Sequence, residues 1–189
     1  MLSYEQEIKN LCSPSFDKIR SVAHKQLKAN FSHQEIEDMF GELKRGTLVI
    51  EREELLWKYL HSFGNKHQAK IHAALAKIKE LRNIVSGEYS IIDWGCGQGL
   101  ATVCMFDYLK KDNLPNAVKR IILIDPSELA LKYAVLHTSL YGVGEIISVN
   151  KDLDHVAVED IKTDTTVTIH LFSNILDIEK FSLKQLAQT

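Results

Sequence analysis

Residues 89–102 read YSIIDWGCGQGLAT, and this stretch decides the fold. A short apolar run ends at Asp93, glycines follow at 95, 97 and 99, and the residues after them can continue as a helix. The pattern predicts a strand, a tight glycine turn and a helix start. Such a turn needs residues without Cβ, both to reach unusual backbone angles and to let a ligand approach the main chain. The helix start aims unpaired N–H groups and the positive end of its dipole into the crevice. A ligand carrying a carboxylate or several hydroxyls suits that place.

The spacing discriminates among ligands. Dinucleotide folds use G-x-G-x-x-G, with pyrophosphate at the helix N-terminus. Here the third glycine comes one residue early, and Leu100 stands where that pattern has glycine. No G-x-x-x-x-G-K-[ST] phosphate loop occurs in the chain.

The next segment repeats the strand-to-helix grammar. Lys119 to Asp125 (KRIILID) is a β-rich apolar run ending in an acid, and Glu128 to Tyr141 reads as a helix with Ser127 as its cap. A carboxylate at the end of the second parallel strand can accept two hydrogen bonds from vicinal ribose hydroxyls. The separation from the glycine turn exceeds the usual ~20 residues, and the polar loop Lys110 to Lys119 accounts for the excess. Glu145 to Val149 (EIISV) reads as a third strand, and Thr165 to Phe172 (TTVTIHLF), alternating and β-branched, as a fourth.

The D-x-G-x-G-x-G of Asp93–Gly99 resembles the first motif of class I, Rossmann-like, S-adenosylmethionine-dependent methyltransferases. The resemblance implies an α/β fold with a mostly parallel sheet in order 3-2-1-4 and S-adenosylmethionine as cofactor. It also implies a binding site, residue by residue. Asp93, Gly95, Cys96, Gly97 and Gly99 form the first motif, and Asp125, Pro126 and Ser127 the ribose-binding strand end. Asp152 and Leu153 lie where the family contacts the adenine. Ser173 and Asn174 lie at the crevice mouth, where it holds the methionine portion and the methyl group. The last pair is not the N-P-P-[YF] of amino-methylating nucleic-acid enzymes. Methyl transfer from a sulfonium needs positioning more than a catalytic triad, and no base is assigned. Asp93 is expected to orient the turn or the methionine ammonium, and His170 to be structural. A coherent cleft between residues 91 and 125, free of any side-chain plug, is required.

The resembling family's sheet has seven strands ending in an antiparallel hairpin, whereas four are counted here before a helix at Ile178–Gln188. Two readings stay open: part of a larger enzyme, or a protein whose sheet edge is covered by its own helices or by a second copy in a homodimer. An exposed strand edge is an association hazard. The function expected is methyl transfer to an unidentified nucleophile, with a noncatalytic, methyltransferase-like interaction module as the alternative.

Composition bounds the partners. The 189 residues are 45% hydrophobic and 25% charged, enough for a real core. The formal net charge of −2 gives no electrostatic footprint for nucleic acid, which tilts the expected acceptor toward a small molecule over RNA or protein. Cys12, Cys96 and Cys104 are odd in number with no C-x-x-C, so a reducing cytoplasm fits better than a disulfide framework. The eight histidines show no ligand spacing, and no metal is expected. No stretch approaches the ~20 apolar residues of a membrane span.

The chain divides near Gly87. Residues 1–86 read as a helical cap or packing region and 87–189 as the cofactor-binding domain. Helices are expected at Ser3–Leu11, at Pro14–Ala29 with Ser13 as cap and Pro14 in the first turn, and from Ser32 to about Lys44 with a Ser32/Glu35 capping box. A pair follows, Arg52–Phe63 and Asn65–Val85, broken at Gly64. Tyr59, His61, Phe63, His67 and Gln68 are candidates for contacts over the crevice, though apolar helical stripes are more often core.

Overall fold

The computed structural model describes residues 2–44, 49–173 and 175. Four helices lead the chain: α1 (Tyr4–Lys9), α2 (Phe16–Asn30), α3 (His33–Glu42) and the long α4 (Glu53–Leu75), followed by the single turn α5 (Leu81–Ile84). Strand β1 (Tyr89–Trp94), helix α6 (Leu100–Lys111), strand β2 (Val118–Ile124), helix α7 (Glu128–Ser139) and strand β3 (Glu145–Val149) then alternate. Two short 3-10 turns, Leu153–His155 and Val158–Ile161, precede β4 (Val167–Phe172).

The four strands form one parallel sheet in the order β3-β2-β1-β4. This is the Rossmann-like α/β architecture, with Asp93 opposite Leu123 on one side and Leu171 on the other. Parallel strands bury both faces, and all six residues of β1 are buried. On one face Tyr89, Ile91, Ile121, Leu123 and Leu171 pack beneath α6 and α7 through Ala101, Met105, Leu131 and Ala134. On the other, Ile92, Trp94, Ile122, Ile124 and Val149 meet Leu153, Val156 and Ile175.

The N-terminal helices share a core with the sheet's own helices. Phe16, Ile19, Leu27, Leu56 and Leu60 pack with Leu100, Val103, Cys104 and Tyr133. Two helix expectations are corrected by this packing. Helix α2 starts two residues later than Pro14, with Ser15 accepting from the Lys18 N–H at 3.3 Å. Tertiary contact selects that start, because the buried Phe16 donates its N–H to Asp107 Oδ2 at 2.7 Å. Helix α4 runs unbroken through Gly64, where a break was expected, and stops at Leu75 rather than continuing to Val85. A Cβ at Gly64 would lie 2.7 Å from Phe16 Cζ, so the glycine admits the ring rather than ending the helix. The C-terminal helix expected at Ile178–Gln188 lies outside the described residues.

Candidate functional site

The glycine turn joins β1 to α6 at the carboxyl end of the sheet. Gly95, Gly97 and Gly99 all have positive φ, at 59°, 52° and 74°, a region that costs other residues strain. At Gly99 a Cβ would also meet the Ala134 backbone of α7 at 3.3 Å. The turn is tied to the neighbouring strand: the Cys96 N–H donates to the Ile124 carbonyl at 2.9 Å. The Gly97 N–H donates to Asp125 Oδ2 at 2.9 Å.

Asp125 thus stands beside the turn as the strand order requires. Its other oxygen, Oδ1, accepts from the Ser127 N–H at 2.9 Å. Burial raises the Asp125 pKa against the pull of these two bonds. Asn150 fixes the strand end by donating from Nδ2 to the Asp125 and Pro126 carbonyls at 3.1 and 2.9 Å. Pro126 is exposed, whereas Ser127 is buried and spends its hydroxyl on structure, accepting from the Ala130 N–H at 3.0 Å and donating to the Ile50 carbonyl.

Asp93 is fully buried. Its Oδ2 accepts from the Thr102 hydroxyl at 2.7 Å and the Thr102 N–H at 3.3 Å, while Oδ1 has no partner among the described residues. Burial first, and the nearby Asp125 charge, push its pKa up to about 7 despite the Thr102 bonds. Cys96 is buried, and burial pushes its thiol up, which disfavours the thiolate.

Asp152 and Leu153 follow β3, with the Asp152 carboxylate exposed and 2.6 Å from His155 Nδ1, and Leu153 buried among Ile124 and Val149. Ser173 follows β4, and Asn174 lies outside the described residues. The cleft is not clear. A Cβ on Gly95 would lie 2.6 Å from Ile175 Cγ2, so the Ile175 side chain rests on the Gly95 end of the turn. Gly97 has open space on its Cβ side.

Gln98, His137 and Tyr4, which the sequence motifs did not single out, help build this site. Gln98, between two of the glycines, is buried, donates from Nε2 to the Leu56 carbonyl at 2.9 Å, and leaves Oε1 unpartnered among the described residues. Its backbone carbonyl accepts from His137 Nδ1 at 3.0 Å. Burial holds His137 down at about 4, so the neutral ring accepts at Nε2 from the Tyr4 hydroxyl, 2.9 Å away. Tyr59 of α4 is half-buried, and burial together with the Asp125 charge raises its phenol to about 12. His61 turns away, stacked on His24 at 4.2 Å.

Among the described residues no cluster of three or more His, Cys, Asp or Glu side chains is arranged to hold a metal ion, and no helix is long and apolar enough to cross a membrane. Cys12 is exposed, Cys96 and Cys104 are buried, and none forms a disulfide.

No family model and no curated protein matches the chain. A solved structure from Listeria monocytogenes, described as a candidate class I S-adenosylmethionine-dependent methyltransferase, is similar with a TM-score of 0.40 and 15% identity. The likeness covers 80% of this chain and 38% of that one, so this chain spans well under half the length of the protein it resembles.

Proposed function

We propose that the chain binds S-adenosylmethionine at the crevice above Gly95–Gly99 and serves in methyl transfer to a nucleophile. The observation that carries this reading is the approach of Asp125 to the glycine turn, 2.9 Å from the Gly97 N–H. It joins an acid at the end of β2 to a turn of positive-φ glycines at the end of β1.

The residues fit such a ligand. The unpartnered Oδ1 of Asp93 suits the ammonium of the amino-acid end, the Asp125 carboxylate retains lone pairs for ribose hydroxyls, and the open side of Gly97 admits close approach. Asp152 and Leu153 would take the adenine, with Pro126, Ser173 and Asn174 along the rim; Ser127 supports Asp125 through its backbone N–H. When bound, the sulfonium supplies a methyl group that is already electrophilic. The chain's own residues then orient it and exclude water, and Asp93, held near 7 in the free protein, ionises against the ammonium.

The acceptor in this reading is a small molecule, supported by the net charge of −2. Residues 1–86 act as a cap joined to the cofactor-binding part, 87–189, and a reducing cytoplasm is the compartment. β4 is an outer strand of the described sheet, and a second copy or a further element covering it is part of the proposal.

A second reading, a noncatalytic module of the same fold, is favoured by Ile175. Its side chain occupies the Gly95 end of the crevice, and both Asp125 oxygens already accept backbone N–H groups. Calorimetry with S-adenosylmethionine and S-adenosylhomocysteine decides. Micromolar binding lost in Asp125→Ala supports the cofactor site, and no binding to the natural chain supports the module.

A further inference from the structure

Helix α2 carries Arg20, His24 and Lys28 one turn apart, so the three form a single basic ridge. The ridge meets α4. Arg20 Nη2 donates to the His61 carbonyl at 2.8 Å, and the His24 ring lies flat on the His61 ring, with centroids 4.2 Å apart and planes at 13°. Lys58 stands one turn before His61 on the same helix. The charges acting on the imidazole pair are all cationic: Arg20 and Lys28 from α2, and Lys58 from α4. The carboxylate that α3 brings to them, Glu37, is paired with Lys58 at 3.3 Å. Asp17, at the start of α2, acts on Asp107 and Cys104 of α6 instead. Arg20 and Lys28 form no ion pair among the described residues, and the buried Arg20 Nε and His61 Nδ1 have no hydrogen-bond partner there. Arg20, His24 and His61 are half-buried and Lys28 is exposed, so solvent reaches the ridge.

We propose that this α2–α4 groove is a binding site for the terminal phosphate of a phosphomonoester, held by Arg20, His24, Lys28 and His61. The site does not rest on the cofactor reading above. Charge selects the ligand. Arg20 and Lys28 bring two fixed positive charges without a counter-charge, which the near-dianionic phosphate of a monoester matches and a single carboxylate leaves half neutralised. The donors agree with that choice: a guanidinium fork, two imidazole edges and an ammonium come from two helices and suit a tetrahedral oxyanion. Burial first, and the surrounding cations after it, push both imidazoles down, His61 to about 4. A bound dianion reverses the sign of that field, so the pair takes up protons as it binds.

The test is NMR of the full chain at neutral pH, following the imidazole resonances of His24 and His61 during titration with ethyl phosphate. Sodium chloride at equal ionic strength and diethyl phosphate, a diester, are the controls. Ethyl phosphate should shift both rings saturably, and the controls should not. Lys28→Glu, a change at an exposed position, and Arg20→Gln should each weaken ethyl phosphate binding by about tenfold or more, the scale of one lost charge-assisted contact. Because Arg20→Gln also removes the bond to the His61 carbonyl, Lys28→Glu decides if the other variant fails to fold. Sulfate, a dianion throughout the range in which imidazole titrates, should bind more tightly as pH falls and should move the His61 titration upward. Equal responses to ethyl phosphate and chloride, equal affinity for monoester and diester, indifference to Lys28→Glu, or sulfate affinity that does not rise with falling pH overturns the site.

Discussion

The hydroxyl of Tyr4 donates to Nε2 of His137 at 2.9 Å, bridging 133 residues of sequence. The same imidazole donates from Nδ1 to the carbonyl of Gln98 within the glycine turn. The first helix of the chain is therefore joined to the turn by a buried, two-bond relay. Tyr4 also stacks with Tyr133 at 5.1 Å and Trp57 at 5.7 Å, so aromatic packing holds the relay in place.

Tyr4→Phe keeps that packing and removes only the donor, leaving a buried imidazole nitrogen unsatisfied. A loss of about 1–3 kcal/mol is expected, read as a lower urea midpoint with an unchanged slope. An unchanged midpoint would show that water replaces the phenol.

His137 gives stability a pH dependence of definite sign. Its folded pKa is about 4 against the ordinary 6.5, so its contribution is present above pH 6.5 and lost as pH falls through 4. The magnitude is about 3 kcal/mol. Because other groups titrate in the same window, the check is a difference: His137→Gln should have a flatter stability profile than the natural chain between pH 4 and 6.5.

Asp93 acts in the opposite direction. Its carboxyl, held near 7 by burial, favours the folded state below its unfolded pKa near 4, and that contribution disappears as pH rises to 7. Asp93→Asn should therefore gain stability relative to the natural chain as pH increases over this interval. If the ammonium of a bound ligand sits at Oδ1, binding also releases a proton near neutrality, measurable by calorimetry in buffers of different ionisation enthalpy.

Gly64→Ala separates local propensity from packing. Helix propensity alone favours alanine by about 1 kcal/mol. The Phe16 ring is fully buried, and its Cζ lies 2.7 Å from the added methyl, so the ring or the helix must shift. Destabilisation by about 1–3 kcal/mol is expected, and a higher melting temperature would refute this account of Gly64.

Ile175→Ala should tighten S-adenosylhomocysteine binding several-fold, because the ligand no longer has to displace a branched side chain from Gly95. Weaker binding would mean that Ile175 is part of the ligand's own surface.

The features legible in the sequence are those governed by neighbours along the chain. The strand, glycine turn and helix around Asp93–Gly99 follow from apolar periodicity and missing Cβ atoms. The Ser32/Glu35 capping box closes as its spacing requires, with the Ser32 N–H donating to Glu35 at 2.8 Å. Ser127 caps α7, and β3 keeps the bounds its pattern gives, Glu145–Val149.

Tertiary contact decided the rest. Whether Gly64 breaks a helix depends on Phe16, 48 positions away by the numbering, and the start of α2 depends on Asp107. The pairing of β4 beside β1 is contained in the expected order 3-2-1-4, but the seating of Ile175 on Gly95 just beyond β4 is not. Local order is written in adjacent residues because capping and periodicity act over a few bonds. Burial, orphaned polar atoms and the filling of a crevice arise only when distant segments meet, since they depend on which surfaces exclude water together.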